Sequence, residues 1–216
     1  DPWWFVNNFS RLGDRTTFAA SMFNTTLILA GLCVIVISYF SVSELVTTYR
    51  QRELWHRRRF DRPGRDMPWF RVRMAILSVL LAACGCCFIG IGSFRQTPHP
   101  IAHNAFAFSL PGITAVLLLA LPWLAPLFSK AMYVVSDLIV VVGTAAVVVW
   151  RYDITSMTNL ELLLGMLFFG WFIVFCRQIA ALEADRIQEQ VVHLQLAAEG
   201  ADAVDEPLES RVASDR

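Results

Sequence analysis

The chain has 216 residues, of which 56% are apolar, 12% aromatic and 17% charged, with a formal net charge of zero. The apolar residues collect in five blocks of about 20 residues, the length a helix needs to cross a ~30 Å hydrocarbon layer, and this excludes an ordinary soluble domain. The blocks lack the period-2 alternation of barrel strands, so the predicted fold class is all-α: a polytopic transmembrane helix bundle with five spans.

Zero net charge hides two poles: residues 50 to 73 hold nine arginines against three acids, and residues 183 to 216 hold nine acids against three arginines. Lys130 is the one lysine among the 18 basic residues, a bias that points to a GC-rich genome such as that of an actinobacterium. Cys33, Cys84, Cys86, Cys87 and Cys176 all fall inside apolar blocks, where neither a disulfide framework nor a zinc spacing can be read.

Residues 1 to 17 read as an extracytoplasmic interfacial segment in which WWFVNNF anchors at headgroup level. The first span is placed at 18–42. The arginine-rich stretch YRQRELWHRRRFDRPGRDMPWFRVR follows as a loop broken by Pro63, Gly64 and Pro68, and the positive-inside rule makes it cytoplasmic. The second span, 70–92, returns outward to SFRQTPHPIAHNA. The third, 105–127, carries Pro111, Gly112, Pro122 and Pro126, and a tight hairpin at Ser129 and Lys130 leads to a valine-rich fourth span at 131–150. RYDITSMTN forms the next outside loop, and the fifth span, 160–176, ends at Arg177 in the cytoplasm.

This topology puts Asp1 outside and the C-terminus inside, in a plasma (inner) membrane. No signal-peptide pattern opens the chain, so a further span upstream is expected, making six. Residues 179–198 are strong helix formers with Leu182, Ile187, Val191 and Leu194 near one face, and are predicted to prolong the last helix as a cytoplasmic extension. Residues 199–216 are acidic, lack an apolar face and read as a disordered tail.

Chemistry-bearing patterns are sparse. Arg57, Arg58, Arg59, Arg62 and Arg65 are candidates for anionic-lipid or partner contact, since an arginine beside an anionic leaflet gains about 1 kcal/mol, although orienting the chain accounts for them as well. A loop of this length is too short for a nucleic-acid module, and no nucleic-acid partner is expected. His99 and His103 share a metal-like spacing, but no carboxylate accompanies them and Pro100 disfavours helix at His99. The preferred role of His103 and Asn104 is to cap or stabilise the entrance of the third helix. Asp137, about two turns into the fourth span, is the candidate buried acid, with Lys130 as its possible partner. Gly85, Gly90 and Gly92, among the cysteines of the second span, offer a small-residue surface for close helix packing. No hydrolase, metalloprotease or phosphate-loop motif is present in the sequence, so no catalytic, metal or cofactor residues are assigned.

Four segments, NFSRLGDR, FN at Phe23 and Asn24, IGSFRQ, and HNAFAFSLPG, resemble the DRAM/Sfk-like six-helix membrane family of eukaryotes and its bacterial relatives. The matching positions are Ser10, Leu12, Gly13, Phe23, Asn24, Gly92, Ser93, Phe94, His103, Asn104, Ala105 and Phe108. The resemblance implies a missing first helix, a shared outer face, no catalytic residues and a role as regulator or partner in lipid-related membrane processes. The expectation is therefore a non-catalytic accessory subunit that contacts membrane lipids and meets other membrane subunits through its transmembrane helices and residues 179–198. A lipid importer of the mycobacterial Mce type would be one such assembly. The alternatives are an autonomous lipid or small-amphiphile transporter and, third, an intramembrane enzyme using Asp137 and the histidines.

Overall fold

A computed structural model describes residues 9–60 and 68–202. Among these, a short 3-10 helix at Phe9–Gly13 precedes five α-helices: α1 (Phe18–Phe60), α2 (Phe70–Ser93), α3 (Pro100–Leu124), α4 (Lys130–Arg151) and α5 (Met157–Asp202). Each contains a stretch long and apolar enough to cross a membrane, so the fold is a membrane-spanning helix bundle. In chain order α1 packs on α2, α2 on α3 and α3 on α4.

The closest approach is between α1 and α2. A Cβ on Gly85 would lie 2.7 Å from the Gly31 carbonyl oxygen, and one on Gly31 would lie 2.5 Å from the Gly85 carbonyl oxygen. Seven residues along each helix the contact recurs, because a Cβ on Gly92 would lie 2.6 Å from the Asn24 carbonyl oxygen. Seven residues is the spacing that keeps two antiparallel helices in contact along one seam. Apolar lipid supplies no hydrophobic drive between helices, so small residues that let backbones meet are what such a seam requires. Gly90 serves a different neighbour: the Phe106 ring of α3 occupies the space a Cβ would need, 2.3 Å from the ring.

From α5, large aromatics span the remaining gaps. Phe88 of α2 lies 5.2 Å from the Phe168 ring and 4.9 Å from the Phe169 ring. Fully buried Trp171 stacks on Phe175 at 5.3 Å and donates its indole N–H to Ser136 Oγ of α4 at 3.0 Å. Ser136 Oγ in turn donates to the Met132 carbonyl at 2.8 Å, so this buried polar pair is satisfied.

At the α3–α4 turn, Pro126 has no N–H to continue the helix and biases Ala125 toward extended backbone, so α3 stops at Leu124, three residues before the predicted end of its span. Side chains from the neighbouring helices take up the freed backbone groups. Arg73 of α2 donates to the Trp123 carbonyl at 3.0 Å, with its guanidinium 4.8 Å above the Trp123 ring. Tyr133 of α4 donates to the Ala125 carbonyl at 2.9 Å, and the Leu127 N–H donates to the Tyr49 hydroxyl of α1 at 3.2 Å. Ser129 caps α4 by accepting from the Met132 N–H and donates its own hydroxyl to Gln178 of α5.

Other boundaries also move. Helix α1 outruns its predicted span and takes in the first part of the predicted basic loop as far as Phe60, because 43–60 contains good helix formers and neither proline nor glycine. Helix α3 starts at Pro100, five residues early: proline suits the first helical position, and His99 before it is non-helical at φ −135°, ψ 59°. Helix α5 runs through 179–198 and continues over 199–202, which were expected to be disordered; the remaining tail, 203–216, lies outside the described residues. A second compact unit begins at Ala180, within which Arg186 and Glu183 pair at 3.8 Å and Ile187, Val191 and Leu194 are exposed.

Helix α4 ends in a Schellman turn: the Ile154 N–H donates to the Val149 carbonyl and the Asp153 N–H to that of Trp150, with Asp153 left-handed at φ 57°.

Two substitutions test these packing and turn arguments. Gly85→Val is expected to cost about 1–3 kcal/mol through overpacking and to lower the thermal midpoint of detergent-solubilised protein. Gly112→Ala, where a Cβ meets nothing within 4 Å, should leave it unlowered; equal midpoints for the two would contradict the close α1–α2 seam. Asp153→Gly should raise the midpoint, by roughly 0.5 kcal/mol, because glycine adopts the left-handed conformation without a Cβ penalty.

Candidate functional site

The matched segments, before and on α1, at the end of α2 and at the start of α3, are tied together and to the start of α5 by long-range polar contacts. The Ser10 N–H donates to Glu161 Oε2, near the start of α5, at 3.3 Å. Gly13 is buried, and its carbonyl accepts from Asn24 Nδ2 at 2.9 Å. The fit is close, since a Cβ on Gly13 would lie 2.0 Å from Asn24 Oδ1 and 3.1 Å from the Phe23 ring. Leu12 is half-buried beside it in sequence. Next along the chain, the Asp14 carboxylate accepts from the Thr97 N–H at 2.7 Å and from the Thr97 hydroxyl, which fastens the segment before α1 to the α2–α3 loop.

That loop is held from beneath by His103. The ring is 3% exposed and its Nδ1 lies 2.7 Å from the Phe94 carbonyl oxygen. A carbonyl only accepts, so Nδ1 carries the proton. Phe94 stacks on Phe106 at 5.8 Å and meets the His99 ring edge-on at 6.0 Å. Ser93 is exposed and Asn104 half-buried.

Of the two roles expected for His103, to cap or to stabilise the entrance of α3, it does not play the first. It lies inside α3, whose cap position is His99 with no side-chain capping bond, and its ring reaches back to the end of α2. The early start of α3 at Pro100 is the cause.

Asp137 also departs from its expected setting. It is exposed on α4 rather than enclosed in the bundle, and has no hydrogen bond or ion pair among the described residues, with Lys130 or otherwise. Its neighbour Ser136 takes the inward position against Trp171, and a one-residue step on a helix turns a side chain by about 100°. Asp137 lies in the second turn of α4, about two turns back from the α3–α4 turn, whereas His103 lies in the first turn of α3, at its other end.

Of the arginine cluster, Arg57, Arg58 and Arg59 fall on the last turn of α1, while Arg62 and Arg65 lie outside the described residues. Among the described residues no three His, Cys, Asp or Glu side chains converge as a metal site would require, and the five cysteines are unpaired.

The same end of the bundle contains a cavity of about 450 Å³ beside Arg15 and Arg95. Asp14, Arg15 and Arg95 fall within the segments NFSRLGDR and IGSFRQ, but neither they nor Thr97 are among the matched or candidate positions. Arg15 and Arg95, like Asp14 and Thr97, are 80 or more residues apart along the chain and no local motif links them.

The burial of His103 gives a direct test. His103→Leu leaves the Phe94 carbonyl without its donor, at a cost of about 1–3 kcal/mol, whereas His103→Gln, which keeps a donor, should recover part of that in a thermal melt. Equal losses would show that the ring packs without bonding.

No family model matches the chain, and neither a curated protein nor a solved structure matches it.

Proposed function

We propose that the chain is a non-catalytic membrane subunit that joins a larger lipid-handling assembly through the exposed face of α4. The observation that carries this is Asp137. It is an exposed carboxylate about 10 Å along the axis from Lys130, on the helix whose most apolar stretch is the least enclosed by the bundle, 11% buried against 44% in α2. Val134, Leu138 and Val141 are exposed at the spacing that puts them on the same face. An acid facing hydrocarbon costs about 3 kcal/mol, and intramembrane acids pair with other polar groups. The partner chemistry that answers this face is an apolar helix carrying an arginine, lysine or amide donor at the depth of Asp137. The lipid-handling part rests on the resemblance of the end segments, with an Mce-type importer as one assembly of this kind. The exposed apolar positions on 187–194 offer a second contact of the same subunit.

Extraction of the native chain from its own membrane in mild detergent should bring down a stoichiometric integral-membrane partner, identified by mass spectrometry. A photocrosslinker at Leu138 should label that partner. Asp137→Leu, which strands the partner's polar group, should reduce the bound fraction about tenfold or more, while Asp137→Glu should keep it. A lone monomer under these conditions would overturn the reading.

A further inference from the structure

The cavity beside Arg15 and Arg95 has the chemistry of an anion site. Arg15 precedes α1 and Arg95 follows α2, and the two guanidinium-bearing side chains line one space with Thr17, Ser21, Asn24 and Thr25. No acidic side chain is among its lining residues; the Asp14 carboxylate, next to Arg15 in sequence, keeps its charge but is directed to the N–H and hydroxyl of Thr97. The Arg95 side chain has no hydrogen bond or ion pair among the described residues. Two further features add to the positive potential and donor supply. The cavity sits at the start of α1, where the first backbone N–H groups have no partner within the helix; Thr17 Oγ1 takes that of Ala20 at 3.3 Å. The lining hydroxyls supply donors that suit phosphate oxygens.

The other lining residues show how the ligand would lie. Phe18, 81% exposed, and Ile28 bring apolar surface to the same space, so a polar, cationic part and an apolar part meet where an apolar helix ends. A ligand that matches both parts carries a phosphate with an acyl chain attached.

We propose that this cavity is a phosphate site that takes the headgroup of an anionic phospholipid, with Arg15 and Arg95 as the paired cations. The proposal deepens the lipid-handling part of the function above and rests on that reading only for the placement of the chain in a bilayer; it does not need the α4 contact.

The test uses the full chain in mild detergent, loaded with phosphatidylglycerol or phosphatidylcholine and read by native mass spectrometry. Phosphatidylglycerol should be retained severalfold over phosphatidylcholine. Arg95→Gln and Arg15→Gln should each weaken that retention about tenfold, through loss of a charge-assisted contact, with Arg95→Lys in between. Arg151→Gln, which does not line the cavity, should leave it unchanged. Matched retention by the native chain and by both glutamine variants, at equal melting temperatures, would overturn the site. If the glutamine variants fail to fold, Ser21→Phe, which fills the cavity from an exposed helix position, supplies the same readout. Inorganic phosphate separates the sources: displacement of the lipid at comparable concentration would assign the site to a free anion and overturn the lipid half of the proposal. Co-purifying subunits should persist in Arg95→Gln. Their absence from the native chain, with phosphatidylglycerol selectivity intact, would count against the α4 assembly and not against this site.

Discussion

Where a helix stops at the edge of an apolar layer, its last carbonyls and the first N–H groups of its neighbour need partners that the layer does not supply. In this bundle much of that demand is met by side chains reaching across from other helices. Asn24 takes the Gly13 carbonyl, His103 takes that of Phe94, and Arg73 and Tyr133 take those of Trp123 and Ala125. Each such bond is individually modest, about 1 kcal/mol net, but leaving one of these groups buried without a partner would cost more than making the bond gains. The contacts therefore fix which helix ends sit together, and with them the shape of the surface at both ends.

Between the ends, the helices solve a different problem. Lipid is as apolar as leucine, so association must come from close fit, and the α1–α2 seam achieves this by removing side chains at Gly31, Gly85 and Gly92. Helix α5 takes the opposite route and fills distance with rings from Phe168 to Phe175. The buried polar pair of Ser136 with Trp171 in that contact is complete. Helix α4 thus presents one polar residue inward to a partner and the next, Asp137, outward to whatever adjoins the bundle.

Sequence reasoning reached the five helices because hydropathy in a membrane is a one-dimensional signal: each block is judged by its own length and composition. It missed the helix ends for local reasons that are clear afterwards. Pro100 opens α3 rather than preceding it, Pro126 closes it, and residues 43–60 hold nothing that breaks a helix. The side of a helix was harder still. Asp137 and Ser136 are adjacent, and nothing in the surrounding valines says which one turns inward. The pairing of Asp14 with Thr97, and of Arg15 with Arg95 around one cavity, depends on the α1–α2 register, which the sequence spacing of those residues does not encode. Gly31 could have been suspected as a small residue in an apolar run, but its match with Gly85 required the register too.

The turn between α3 and α4 is gripped by Tyr49, Arg73, Tyr133 and Gln178, one side chain from each of α1, α2, α4 and α5. Four helices therefore share one hinge block, and a displacement of α4 at its first turn cannot leave the other three undisturbed. A neighbour leaning on α4 would be pushing, through that block, on the whole bundle at once.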